Sequence, residues 1–143
     1  MRKVLFAVGL LLAAEQPKSD ADKKDLERMQ GDWAAVSMIH DGQKLPDDDT
    51  QSLFRTMKGD QYTVFLFRKA IGKGTFKIDA SKKPKTIDFQ PAAAKAQPLL
   101  GIYEFDGDAW RICYATPGKE RPTEFTPKEG TGYTLAVWER EKK

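Results

Sequence analysis

The chain has 143 residues, of which 40% are hydrophobic and 31% charged, enough for one domain and not comfortably for two. Its 24 basic residues outnumber its 21 acidic ones by three. The one cysteine, Cys113, excludes an internal disulfide and a multi-cysteine zinc site.

The first residues read as an export signal. Arg2 and Lys3 form a positive start, and residues 4–14 are an uncharged apolar run. That run is too short to cross a bilayer and suits the apolar part of a signal peptide spanning residues 1–14. Cleavage after Ala14 takes two of the 24 basic residues away and leaves 22 against 21 acidic ones, a net charge of +1. A near-neutral chain with interleaved signs has no long-range field for nucleic acid and no means of stable membrane insertion once the signal is gone. The expected location is periplasmic or extracellular.

Residues 15–24 are polar, contain Pro17 and read as a mobile linker. The folded domain is expected over residues 25–143. Residues 25–30 allow one helical turn with Leu26 and Met29 inward. The period then changes to two. Residues 31–40 form the first strand, with Trp33, Ala35, Ser37 and Ile39 on one face, and Asp41-Gly42 ends it. Leu45-Pro46 leads into a short helix, capped by one of Asp47, Asp48 or Asp49, with Leu53, Phe54 and Met57 as its apolar stripe. Strands follow at 62–67, 72–79 (Gly74, Phe76 and Ile78 inward) and 86–90 (Ile87 and Phe89 inward).

Residues 99–105 and 109–115 make a hairpin around Asp106-Gly107. A two-residue type I′ loop there pairs Tyr103 with Trp110 and Gly101 with Ile112. Leu99, Gly101, Tyr103, Trp110, Ile112 and Tyr114 then share a face, while Glu104 and Arg111 lie on the other, so the aromatic face is the interior. Residues 116–127 are a polar loop with room for a short strand at 123–125, and residues 133–139 are the last strand. Seven or eight short strands with short connections predict an all-β fold, a single antiparallel up-and-down β-barrel with a short helix after the first strand.

Gly31-Asp32-Trp33 opens the first strand and Arg140 closes the last. This pattern resembles the lipocalin and calycin signature, in which a tryptophan seals the barrel floor under an arginine. Further stretches, among them Gly74-Thr75-Phe76-Lys77-Ile78-Asp79, Leu100-Gly101-Ile102-Tyr103-Glu104 and residues 117–125, are similar to a family of small exported lipocalin-like domains abundant in planctomycetes. The resemblance implies a barrel fold, an export route and a structural floor of Gly31, Trp33 and Arg140. It implies no established activity. No Thr-Asp-Tyr element is found on a middle strand.

No catalytic constellation stands out, and no cofactor is implied. His40 is alone, and a lone histidine reads as a polar loop residue rather than a haem ligand. Cys113 lies between Ile112 and Tyr114 and reads as a small apolar packer. Asp47, Asp48 and Asp49 are consecutive, so they point apart and suit a helix start better than calcium. Glu120, Arg121 and Glu124 lie in a loop stiffened by prolines, where Arg121 can pair with a carboxylate of the loop or of a ligand. Tyr62, Phe76, Phe89, Tyr103, Trp110 and Tyr114 either line a cavity or fill one. Two functions are therefore expected from this sequence. One is binding of a small apolar or amphipathic ligand at the barrel mouth by those aromatics, with Arg121 or His40 at the rim. The other is an envelope or extracellular module with a solid core that engages protein or glycan.

Overall fold

The computed structural model describes residues 19–142. The export segment, residues 1–14, and the linker as far as residue 18 lie outside the described residues. In chain order the elements are α1 (Asp20–Met29), β1 (Gly31–His40), β2 (Gln43–Lys44), α2 (Asp47–Gln51), β3 (Leu53–Lys58), β4 (Gln61–Leu66) and β5 (Lys69–Asp79). They continue with β6 (Lys85–Pro91), β7 (Leu99–Asp106), β8 (Ala109–Tyr114) and β9 (Thr134–Arg140).

Eight of these strands, β1 and β3 to β9, close an antiparallel barrel in sequence order, and β2 extends β1 as a small hairpin. Closure depends on β1. Its residues 31–34 pair with β3, and its residues 33–40 pair with β9. A bulge between Ala35 and Ser37 lets one strand serve both neighbours, because an extra residue bends the strand and sharpens its twist. The bulge also corrects the expected facing. Val36 is pushed outward, and Met38, of opposite parity to Trp33, packs on the core in place of Ser37 and Ile39.

The segment expected to carry the second half of a helix is instead β3. Only Asp47–Gln51 is helical, its start is Pro46, and no aspartate side chain caps it. Leu53 and Met57 are buried as expected, since residues four apart share a face in either structure. The residue between them on that face is Arg55, which is also buried.

The β7–β8 hairpin turns at Gly107-Asp108, two residues later in register than the expected pairing. Phe105 faces Trp110, Tyr103 faces Ile112 and Gly101 faces Tyr114. Gly107 alone of the two loop residues has positive φ (+61°), which fits a glycine-first type II′ turn rather than type I′. A slip of two keeps every side chain on its face, so the aromatic interior stands.

The expected strand at 123–125 is absent, and that stretch is irregular. Gly74 is half-buried where β5 meets the end of β6; a Cβ there would lie 2.0 Å from the Gln90 carbonyl oxygen, so the close strand approach requires glycine.

α1 is longer than one turn and takes in residues 20–24 of the expected linker. Ser19 caps it by accepting from the Asp22 amide. Its buried face is partly acidic. Asp22 accepts from the Ala80 amide at 2.7 Å. Asp25 accepts from the Tyr103 hydroxyl at 2.7 Å and from Lys85 Nζ at 2.9 Å. Gln30 then clasps Gly59 in the β3–β4 turn through its amide and carbonyl. These bonds hold α1 to the barrel at the end where β1 begins and β9 finishes.

Candidate functional site

The closed end is built around Trp33, 2% exposed. Its indole donates to the Met29 carbonyl at 2.8 Å and packs on Trp110 with ring centroids 5.1 Å apart. Arg140 lies over it, Cζ 4.2 Å from the ring centroid, and donates to the carbonyls of Arg28 and Gln30. A guanidinium on an indole contributes about 0.5–2 kcal/mol. Gly31 has φ +111° and a Cβ there would come within 2.9 Å of Arg140 Nη1, so the approach of the arginine depends on glycine. Tyr103 seals the same region from inside. Burial and its bond to Asp25 push its phenol well above the ordinary tyrosine range.

Above this floor the lumen is filled by rings. Tyr62 meets Phe89 edge-on at 5.2 Å, and Phe76 lies 6.4 Å from Phe89. Both are ordinary spacings for packed aromatic pairs. Arg55 enters this stack from β3. Its guanidinium carbon is 4.7 Å from the Phe89 centroid, 5.0 Å from Trp138 and 5.6 Å from Tyr62. The residue is 6% exposed, and neither Nε nor Nη1 has a hydrogen-bond partner. None of the ion pairs among the described residues involves it. Burial pushes its pKa down to about 10, so it still carries its charge at neutral pH.

The opposite end is marked by the register: His40 meets Thr134, which meets Tyr114, while Leu53 meets Leu66 and Phe89 meets Leu99. Its rim is apolar and half-buried, formed by Met38, Leu45, Leu66, Leu99 and Tyr114 packed against the core. The five-residue α2 packs beside it on β1. His40 Nδ1 lies 2.8 Å from the Thr134 hydroxyl at this rim.

The structure brings five of the expected aromatics, Tyr62, Phe76, Phe89, Tyr103 and Trp110, into one buried cluster, with Tyr114 at its edge. It does not bring Arg121 to them. That guanidinium is on the outer wall, where it donates to the Asp88 carboxylate at 2.6 Å and the Gly101 carbonyl at 2.8 Å. Asp88 faces outward because Ile87 and Phe89 face in, and it draws Arg121 away from the rim. Cys113 is fully buried with Ile102 and Leu135, and burial pushes its thiol up to about 11, unsuited to a nucleophile. Among the described residues no group of three or more His, Cys, Asp or Glu side chains could hold a metal ion. No protein-family model, no curated protein and no solved structure matches the chain.

Arg55 was not among the expected site residues. A charge between Leu53 and Met57 reads as the exposed side of a helix. The available signal was the period-two frame Leu53-x-Arg55-x-Met57.

Proposed function

We propose that the protein is an exported, lipocalin-like binding module that takes a small amphipathic molecule at the open end of its barrel. The observation that carries this reading is the inequality of the two ends. One is locked by α1, Trp33 and Arg140, and the other presents half-buried apolar side chains around a core that contains a charge. A mouth of that kind favours an apolar chain lying along the rim, and small-molecule sites are commonly such apolar clefts with few polar groups. The export route rests on the apolar run at residues 4–14, and the lipocalin-like assignment on the pairing of Trp33 with Arg140 in a closed barrel.

Native mass spectrometry of the protein purified from its own source tests the reading. A retained small-molecule adduct is expected. A bare chain, with no thermal stabilisation across a panel of single-chain amphiphiles, would overturn it. One observation favours the second reading, an interaction module for protein or glycan. Phe67 and Ile71 on the β4–β5 hairpin are 60% and 58% exposed. They sit outward because Phe67 and Arg68 both adopt positive φ and because a bulge lies between the pairs Val64–Gly72 and Phe65–Ala70. Binding lost on Phe67→Ser with the mouth intact would identify that alternative.

A further inference from the structure

We infer that the ligand's polar end is a single carboxylate, received by Arg55 inside the barrel. This rests on the mouth-binding reading and adds the chemical class of its ligand.

Among the described residues, the buried side-chain nitrogen and oxygen atoms that lack partners are Arg55 Nε, Arg55 Nη1, Trp110 Nε1 and Trp138 Nε1. Every one is a donor, and neither an indole nor a guanidinium can accept. Two belong to Arg55 itself and the other two to neighbouring indoles. Trp110 and Trp138 are direct neighbours across β8 and β9, and the Trp138 ring lies 5.0 Å from the Arg55 guanidinium. A set of donors without an acceptor calls for a group rich in lone pairs.

Charge narrows the choice. A buried cation without a counter-charge costs several kcal/mol after relaxation. Three ring faces offset part of that. The groups whose acidity bears on Arg55 are the phenols of Tyr62 and Tyr114, and burial raises both above the ordinary tyrosine range, so neither supplies an anion at neutral pH. An anionic ligand removes the imbalance, whereas a neutral acceptor leaves it.

Geometry and surroundings narrow it again. A planar guanidinium matches the two oxygens of a carboxylate. One cation in an aromatic lumen balances one negative charge, and a phosphate monoester would bring an excess charge among rings that repel it. The guanidinium is enclosed, so the head group reaches it by parting Leu66 and Tyr114 at the rim, and a slender unbranched tail is left along the mouth.

Isothermal titration calorimetry of the full chain with dodecanoate and with dodecanol, below their micellar concentrations, tests this. The two probes share a tail and differ in the head. Wild-type protein is expected to bind dodecanoate at least about tenfold more tightly, and Arg55→Met to bring the two affinities together. Equal affinities in the wild type would overturn the carboxylate inference and leave the mouth-binding reading standing. A preference that survives Arg55→Met would overturn the assignment to Arg55. Binding of neither probe would overturn the reading beneath it as well. The wild-type comparison decides the matter even if the variant does not fold.

Discussion

The floor and the lumen of the barrel treat arginine in opposite ways. Arg140 at the closed end lies on an indole and has carbonyl acceptors for its protons. Arg55 lies among three rings, deeper in the lumen, and two of its nitrogens have nothing to bond. The first arrangement stabilises the fold. The second is a cost carried in the core. A cation–π contact alone therefore does not separate structure from function; the fate of the guanidinium protons does.

That contrast can be broken by substitution. The largest effect is expected from Trp33→Ala, which removes the floor and should lower unfolding free energy by about 3–5 kcal/mol in urea titrations. Near-wild-type unfolding would mean that the closed end does not hold the barrel together. Asp25→Ala comes next, at about 1.5–3 kcal/mol, because it strands the buried Tyr103 hydroxyl that the carboxylate accepts from. Tyr103→Phe in the same background should recover part of the loss. Gly31→Ala should cost about 1–3 kcal/mol through its positive φ and the nearby Arg140.

Arg55→Met belongs to the lumen and should reverse the sign. Loss of the unpaired charge offsets loss of the ring contacts, so the change should be neutral or stabilising by about 1 kcal/mol. A loss above about 2 kcal/mol would place Arg55 with Arg140 as a structural residue.

Cys113, in the separate cluster with Ile102 and Leu135, gives a reference in pH. Its folded pKa is raised from 9 to about 11. Its contribution is therefore fully present below pH 9 and is lost as pH rises from 9 through 11. Denaturant midpoints should fall over that window, less so in Cys113→Ala, and the native thiol should resist Ellman's reagent at pH 8.

Much of this fold is legible in the residues. Alternation marks β1, β5, β6, β7, β8 and β9, and the Trp33–Arg140 spacing points to strands that meet. The interior face of the β7–β8 hairpin is legible even with its register off by two, because charge at Glu104 and Arg111 assigns the faces and not the turn. β3 is not legible, since Leu53 and Met57 satisfy helical and strand periods alike and Arg55 breaks the apolar pattern that would decide. The length of α1 is hidden for a related reason. Its buried contacts include carboxylates, Asp22 and Asp25, whose partners Ala80, Lys85 and Tyr103 are more than fifty residues away. Arg121 is not found at the rim because Asp88, on the outward side of β6, pairs with it on the outer wall. For α1 and Arg121 the missing information is a long-range polar contact, which no local period encodes.

The carboxyl resonance of dodecanoate labelled with carbon-13 at that position, followed by NMR on the bound ligand as pH is lowered, is the most direct measurement. A head group held against Arg55 should keep the shift of the ionised form below the ordinary carboxylate midpoint of about 4. A bound resonance that titrates with the free acid would contradict a charged receiver inside the barrel.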